Sequence, residues 1–145
     1  MRGLAIIAAA AALAGCAGEA DERLSREELA EQAAAICNRA EERLSSLREP
    51  EDVADVEGYA RDAQAITQEG LDDLRSLEPP EELEKAFARY LEQADEVVAL
   101  LGELEDAAAA GDEAEARRLS ARIAEAAEAR AAARAAGIPA CEREG

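Results

Sequence analysis

Residues 25–50 read "SREELAEQAAAICNRAEERLSSLREP". Leu29, Ala33, Ile36, Ala40, Leu44 and Leu47 recur here at spacings of three and four, which places them on one face of an α-helix. Ser25 followed three residues later by Glu28 has the form of a capping box, in which each side chain satisfies a backbone N–H that the first helical turn leaves without a partner. Pro50 separates this helix, expected over about 26–48, from the next stretch. A helix with one apolar face must bury that face against something, and the rest of the chain supplies more helices of the same kind.

A second stretch, about 51–77, carries Val53, Val56, Ala60, Ala63, Ile66 or Thr67, Gly70, Leu74 and Leu77 on one face. Gly58 and Gly70 weaken it by roughly 1 kcal/mol each relative to alanine, and a bend is expected at Gly70. Pro79 and Pro80 end this stretch and begin the third, because proline suits a first helical turn and disfavours helix in the residue before it. The third carries Leu83, Phe87, Tyr90 or Leu91, Ala94, Val97, Leu101, Leu104 and Ala108 and stops at Gly111. Asp112 with Glu115 reads as a second capping box, opening a fourth helix with Ala116, Leu119, Ile123, Ala126 and Ala133 facing inward. Gly137, Ile138 and Pro139 then come in the order of a left-handed stop, an apolar contact and a residue that cannot continue a helix.

Four helices with short connections predict an all-α domain over residues 25–141, an antiparallel up-down four-helix bundle, with a three-helix arrangement as the alternative and residues 142–145 as a C-terminal tail. Abundant alanine on the inner faces would let the axes approach near the lower end of the usual range of about 8–10 Å, which leaves little room for a ligand cavity.

Ahead of the domain, Arg2 is followed by the eleven-residue apolar run "LAIIAAAAALA", residues 4–14. At about 1.5 Å per residue this helix falls well short of a hydrocarbon core of roughly 30 Å, whereas the apolar region of a secretory signal needs only about 7–15 residues. The run ends in "LAGC": Leu13, Ala14, Gly15, Cys16. This resembles the lipobox of bacterial lipoproteins, in which a branched apolar residue and two small residues precede a cysteine. The resemblance implies a signal peptide over residues 1–15, cleavage between Gly15 and Cys16, and lipid on the Cys16 sulfur. Two acyl chains, at about 0.8 kcal/mol per buried CH₂, suffice for stable anchoring. Residues 16–24, including "AGEADER", then form the lipidated cysteine and a short tether. The mature part is similar in pattern to small lipoproteins of high-GC bacteria, consistent with a single lysine, Lys85, among 16 basic residues, and that likeness brings no activity with it.

Cleavage would remove Arg2 and no acid, leaving 15 basic residues against 34 acidic ones and a net charge of −19 in place of −18. Such a surface repels nucleic acid and anionic headgroups, so the membrane is expected as a partner through the lipid alone and nucleic acid not at all. Apolar residues make up 49% of the chain and are periodic, which argues for a folded domain and against disorder.

With Cys16 assigned to lipid, Cys37 and Cys141 remain, and an even pair in an exported domain points to a disulfide. Cys37 lies about eleven residues, roughly 16 Å, into its helix, so the segment after Gly137 would have to fold back to reach it. On the chain-entropy view such a bridge stabilises by up to about 4.7 kcal/mol.

The chain has no histidine, which excludes histidine-based metal centres and Ser-His or Cys-His nucleophiles. It has no phosphate-cradling glycine loop, and Tyr59, Phe87 and Tyr90 are its only aromatic residues. No catalytic residues and no cofactor other than the covalent lipid are therefore expected. Glu49, Glu51, Asp52, Asp112 and Glu113 would meet at one end of the proposed bundle and are weak candidates for a divalent metal such as calcium. Acids in a first helical turn also offset the helix dipole without any metal. Glu57 with Arg61, Glu81 with Lys85 and Glu113 with Arg117 are spaced as surface pairs worth about 0.2–0.5 kcal/mol each. Arg117, Arg118, Arg122, Arg130 and Arg134 make the fourth helix the least acidic and the one an acidic partner could meet.

These features lead to the expectation of a lipid-anchored lipoprotein on the extracytoplasmic face of a cell membrane. It would act as an interaction or structural module of the envelope with a protein partner there. The alternative is weak calcium or small-ligand binding.

Overall fold

The computed structural model describes residues 23–127 and 130–142. The lipobox, including Gly15 and Cys16, and most of the tether lie outside the described residues, as do the last residues of the tail. The described chain is all-helical: α1 (Arg26–Ser45), α2 (Val53–Arg75), α3 (Glu84–Ala109), α4 (Glu113–Ala127), α5 (Arg130–Ala135) and a single 3₁₀ turn (Pro139–Cys141). The four longer helices pack together.

Local chemistry sets where each helix begins. In α1 the capping box is complete: the Glu28 N–H donates to Ser25 Oγ (3.2 Å) and the Ser25 N–H to Glu28 Oε2 (2.9 Å). At α2 the Asp52 carboxylate accepts from the Asp55 N–H at 3.1 Å. The Asp112–Glu115 box is only half made. The Glu115 N–H donates to Asp112 Oδ1 (3.0 Å), but the Asp112 N–H is taken by the Ala107 carbonyl (2.9 Å), and the Glu115 carboxylate pairs with Arg118 instead. The reason is the reversal at Gly111, whose φ of +70° brings Gly111 and Asp112 N–H groups back onto Ala108 and Ala107. The donor that a capping box needs is therefore spent on ending α3.

The two prolines behave differently from the expectation that they open α3. They precede a turn in which the Leu83 N–H donates to the Pro80 carbonyl (2.9 Å) and the Glu84 N–H to Glu81 (3.3 Å). Regular α-helical bonding starts with Phe87 N–H to Leu83 O, at 2.8 Å. Neither proline has an N–H, and Pro80 biases Pro79 away from helical backbone, so helix begins beyond them. This also explains why Glu81 and Lys85 do not form the surface pair their spacing suggests: Glu81 stands in the turn, outside α3. Gly58 and Gly70 sit within an uninterrupted α2.

Most of the buried side chains fall into two groups. One gathers Leu29, Ala33 and Ile36 of α1 with Leu74, Leu83, Phe87, Ala133, Ala136 and Ile138. The other is made by Ala60 of α2, Leu100, Leu104 and Ala107 of α3, and Ala116 and Leu119 of α4. Leu29, Leu119 and Ile138 are the largest fully buried side chains, each worth roughly 1.5–3 kcal/mol of apolar burial. α3 is the central helix, packed against α2, α4 and α5. It therefore buries Val98, Leu100 and Ala107 in addition to the single stripe that periodicity indicates.

Ion pairs bind the helices along their exposed edges. Arg39–Asp73 (2.7 Å) and Arg43–Glu69 (2.6 Å) join α1 to α2, and Arg61–Glu105 (2.7 Å) joins α2 to α3. The surface pairs Glu57–Arg61 and Glu113–Arg117 are present, at 2.5 and 2.8 Å. Where α2 meets α3, Gly102 makes room for the Gln64 side chain: a Cβ on Gly102 would stand 2.7 Å from Gln64 Nε2, which donates to the Val98 carbonyl at 3.1 Å.

Candidate functional site

Among the described residues, α1 has its main backbone neighbours in α2 and the C-terminal 3₁₀ turn, and its Leu29, Ala33 and Ile36 share a core group with Phe87 of α3 and Ala133 of α5. Where a closed bundle would bring α1 against α4, an open cleft of about 510 Å³ remains. Its walls are Ile36, Ala40 and Leu44 of α1, Leu71 and Leu74 of α2, and Ala94 and Val97 of α3, with Tyr90, Gln93 and Thr67 as polar points. This departs from the expectation that alanine-rich faces leave little room for a ligand cavity. Small residues close a gap only where the helix axes approach, as α2 and α3 do. Ala40, Ala94 and Ala126 face a space that their helices do not close, and each missing side chain enlarges it.

The C-terminal segment forms one end of the cleft. Gly137, at φ +78°, reverses the chain after α5, its N–H bonded to Arg134 O and that of Ile138 to Ala133 O, both at 3.0 Å. Ile138 then enters the core, and Pro139, Ala140 and Cys141 turn along α1. This is the fold-back that pairing with Cys37 requires. The two Sγ atoms are at disulfide distance, 1.96 Å, with the Cα atoms 5.2 Å apart. Both cysteines are half-buried on the wall of the cleft. Arg134 holds the end of the segment through Nε–Oε1 (2.5 Å) and Nη2–Oε2 (2.7 Å) contacts to Glu142, a carboxylate only 13% exposed. That carboxylate raises the pKa of Arg134 by accepting its hydrogen bond and by its charge.

The acidic candidates do not gather into a site. Asp52 and Asp112 are N-caps of α2 and α4, the Glu51 N–H donates to Asp55 Oδ2 (3.2 Å), and Glu113 pairs with Arg117. Among the described residues, Glu49 included, no three acidic or cysteine side chains are grouped so as to hold a metal ion. The arginines of the last helices are likewise engaged within the chain: Arg117 with Glu113, Arg118 with Glu115, Arg122 with Glu103 (3.7 Å) and Arg134 with Glu142. The side chain of Arg130 lies outside the described residues. Glu115 has its pKa lowered by the hydrogen bond from Arg118.

Periodicity gave no sign of the cleft, because it depends on which helices meet and not on which face of each is apolar. Ala40, Leu44, Ala94 and Val97 belong to the apolar stripes, and incomplete closure of the helices leaves them half-buried. No family model matches the chain, and no curated protein or solved structure shows significant similarity to it. Among the described residues, no helix is long and apolar enough to cross a membrane.

Proposed function

We propose that the protein is a lipoprotein anchored through Cys16 to the extracytoplasmic face of a membrane, with residues 25–141 forming an interaction or structural module of the envelope. The observation that carries this reading is "LAGC" at residues 13–16, preceded by one positive charge and an eleven-residue apolar run. The Cys37–Cys141 pair supports it, since disulfides persist in oxidising compartments outside the cytoplasm. The ion pairs Arg39–Asp73 and Arg43–Glu69 advance along α1 while receding along α2, which supports an antiparallel up-down course for the helices. Nothing in the reading requires catalysis or a cofactor beyond the lipid.

The test is metabolic labelling with an alkyne fatty acid. The parent chain is expected to take the label and sediment with membranes, and a Cys16→Ser variant to lose both properties. Equal labelling of the two would overturn the anchor. Crosslinking in cells, with Cys16→Ser as the control, then tests the module: a dominant envelope partner that is lost with the anchor supports it, and an identical background in both overturns it.

The cleft favours a second reading, a small-ligand-binding lipoprotein. Its volume falls in the range of about 300–1,000 Å³ usual for ligand pockets. An apolar fluorescent probe that binds the parent and not an Ala94→Phe variant would support that reading, and equal binding to both would reject it.

A further inference from the structure

The first core group depends on the C-terminal segment, through Ala133, Ala136 and Ile138, whereas the second is built entirely from α2, α3 and α4. α1 contributes nothing to the second group. Its main backbone neighbours are α2 and the 3₁₀ turn, and the Cys37–Cys141 bridge is its covalent link to that turn. The connection from α1 to α2, residues 46–52, contains Pro50 and no helix, so it can serve as a hinge.

We propose that the Cys37–Cys141 bridge is a redox latch that fastens α1 to the C-terminal segment, and that its reduction releases these two parts while α2, α3 and α4 stay folded. The bridge is open to exchange because neither cysteine is fully buried. A thiolate of a dithiol reductant attacks one sulfur, forming a mixed disulfide and releasing one cysteine thiolate. The second thiol of the reductant then displaces the other cysteine. The chain gains two electrons and two protons, and the reductant leaves as its own disulfide. Release removes Pro139, Ala140 and Cys141 from the end of the cleft and frees the α1 wall opposite α3, so the latch also controls the shape of the cleft.

Hydrogen–deuterium exchange with mass spectrometry, on the full chain carrying Cys16→Ser, tests this. Reduction in place with dithiothreitol is expected to speed exchange about tenfold or more in residues 33–45 and 133–142. Amides in residues 60–66, 98–107 and 116–119 are expected to change by less than about twofold. A comparable rise across all four helices would overturn the proposal, because the bridge would then staple the whole fold. No rise in residues 133–142 would overturn it too, because burial of Ile138 would hold the segment without the bridge. Iodoacetamide is expected to label both thiols in the reduced sample and neither in the unreduced one, which confirms that the bridge was open in the first and closed in the second.

Discussion

Gly137→Ala tests how tightly the C-terminal segment is seated. Gly137 has a φ of +78°, where a side chain costs about 1–2 kcal/mol. A Cβ built there would also stand 2.6 Å from Leu83 Cδ1 and 3.9 Å from Leu29 Cδ2. Leu83 is 7% exposed and Leu29 fully buried, so the leucine methyl can move only by disturbing the first core group. Overpacking of that kind costs about 1–3 kcal/mol, and the two effects together predict a loss of about 2–5 kcal/mol. Gly111→Ala is the matched control. Its φ is +70°, but its Cβ would meet nothing within 4 Å, so only the backbone cost of about 1–2 kcal/mol applies. The gain from a stiffer unfolded chain is common to both variants and cancels in their difference. Equilibrium urea unfolding with the disulfide intact measures both, with m expected to stay constant. If the two variants lose the same stability, Leu83 moves aside freely, and the claim that the segment is seated against a rigid core is wrong.

Gly58→Ala should act in the opposite direction. The site is exposed, helical and open, so alanine is expected to stabilise by about 0.5–1 kcal/mol in a thermal melt, and a lower Tm would contradict the helical geometry there. Leu119→Ala empties a fully buried site in the second core group and should cost about 2–5 kcal/mol by urea unfolding, and a loss below about 1 kcal/mol would show that α4 is not packed as described. Glu28 has its pKa lowered, first by the Ser25 backbone N–H and then by the Ser25 hydroxyl. A carboxylate lowered in the folded state stabilises fully above its unfolded pKa and loses that effect as pH falls through its folded pKa. The Tm gap between the parent and Glu28→Gln is therefore widest near neutral pH and closes below about pH 4. A gap that does not depend on pH would refute the charged capping box.

The helices and their ends were legible in the sequence because the forces that set them act within a few residues. Ser25 and Glu28 meet across one turn, Gly111 and Gly137 adopt positive φ where a helix must stop, and Leu29, Ala33 and Ile36 share a face through spacing alone. The same local logic was incomplete where two local demands competed for one group. At Asp112 the ending of α3 claimed the N–H that a capping box would use, and at Pro79 and Pro80 a turn preceded the helix.

Periodicity, charge and composition are properties of the residues alone, and they were enough to specify an all-helical chain with four apolar-faced helices and an acidic surface. It took the packed fold to settle that α3 is buried on more than one side, that α1 is closed off by the C-terminal segment and not by α4, and that alanines lining the gap leave a cleft of about 510 Å³. Those outcomes depend on how far apart helix axes settle once every face competes for partners. An apolar stripe states that a helix must be covered, but not which neighbour covers it or how closely.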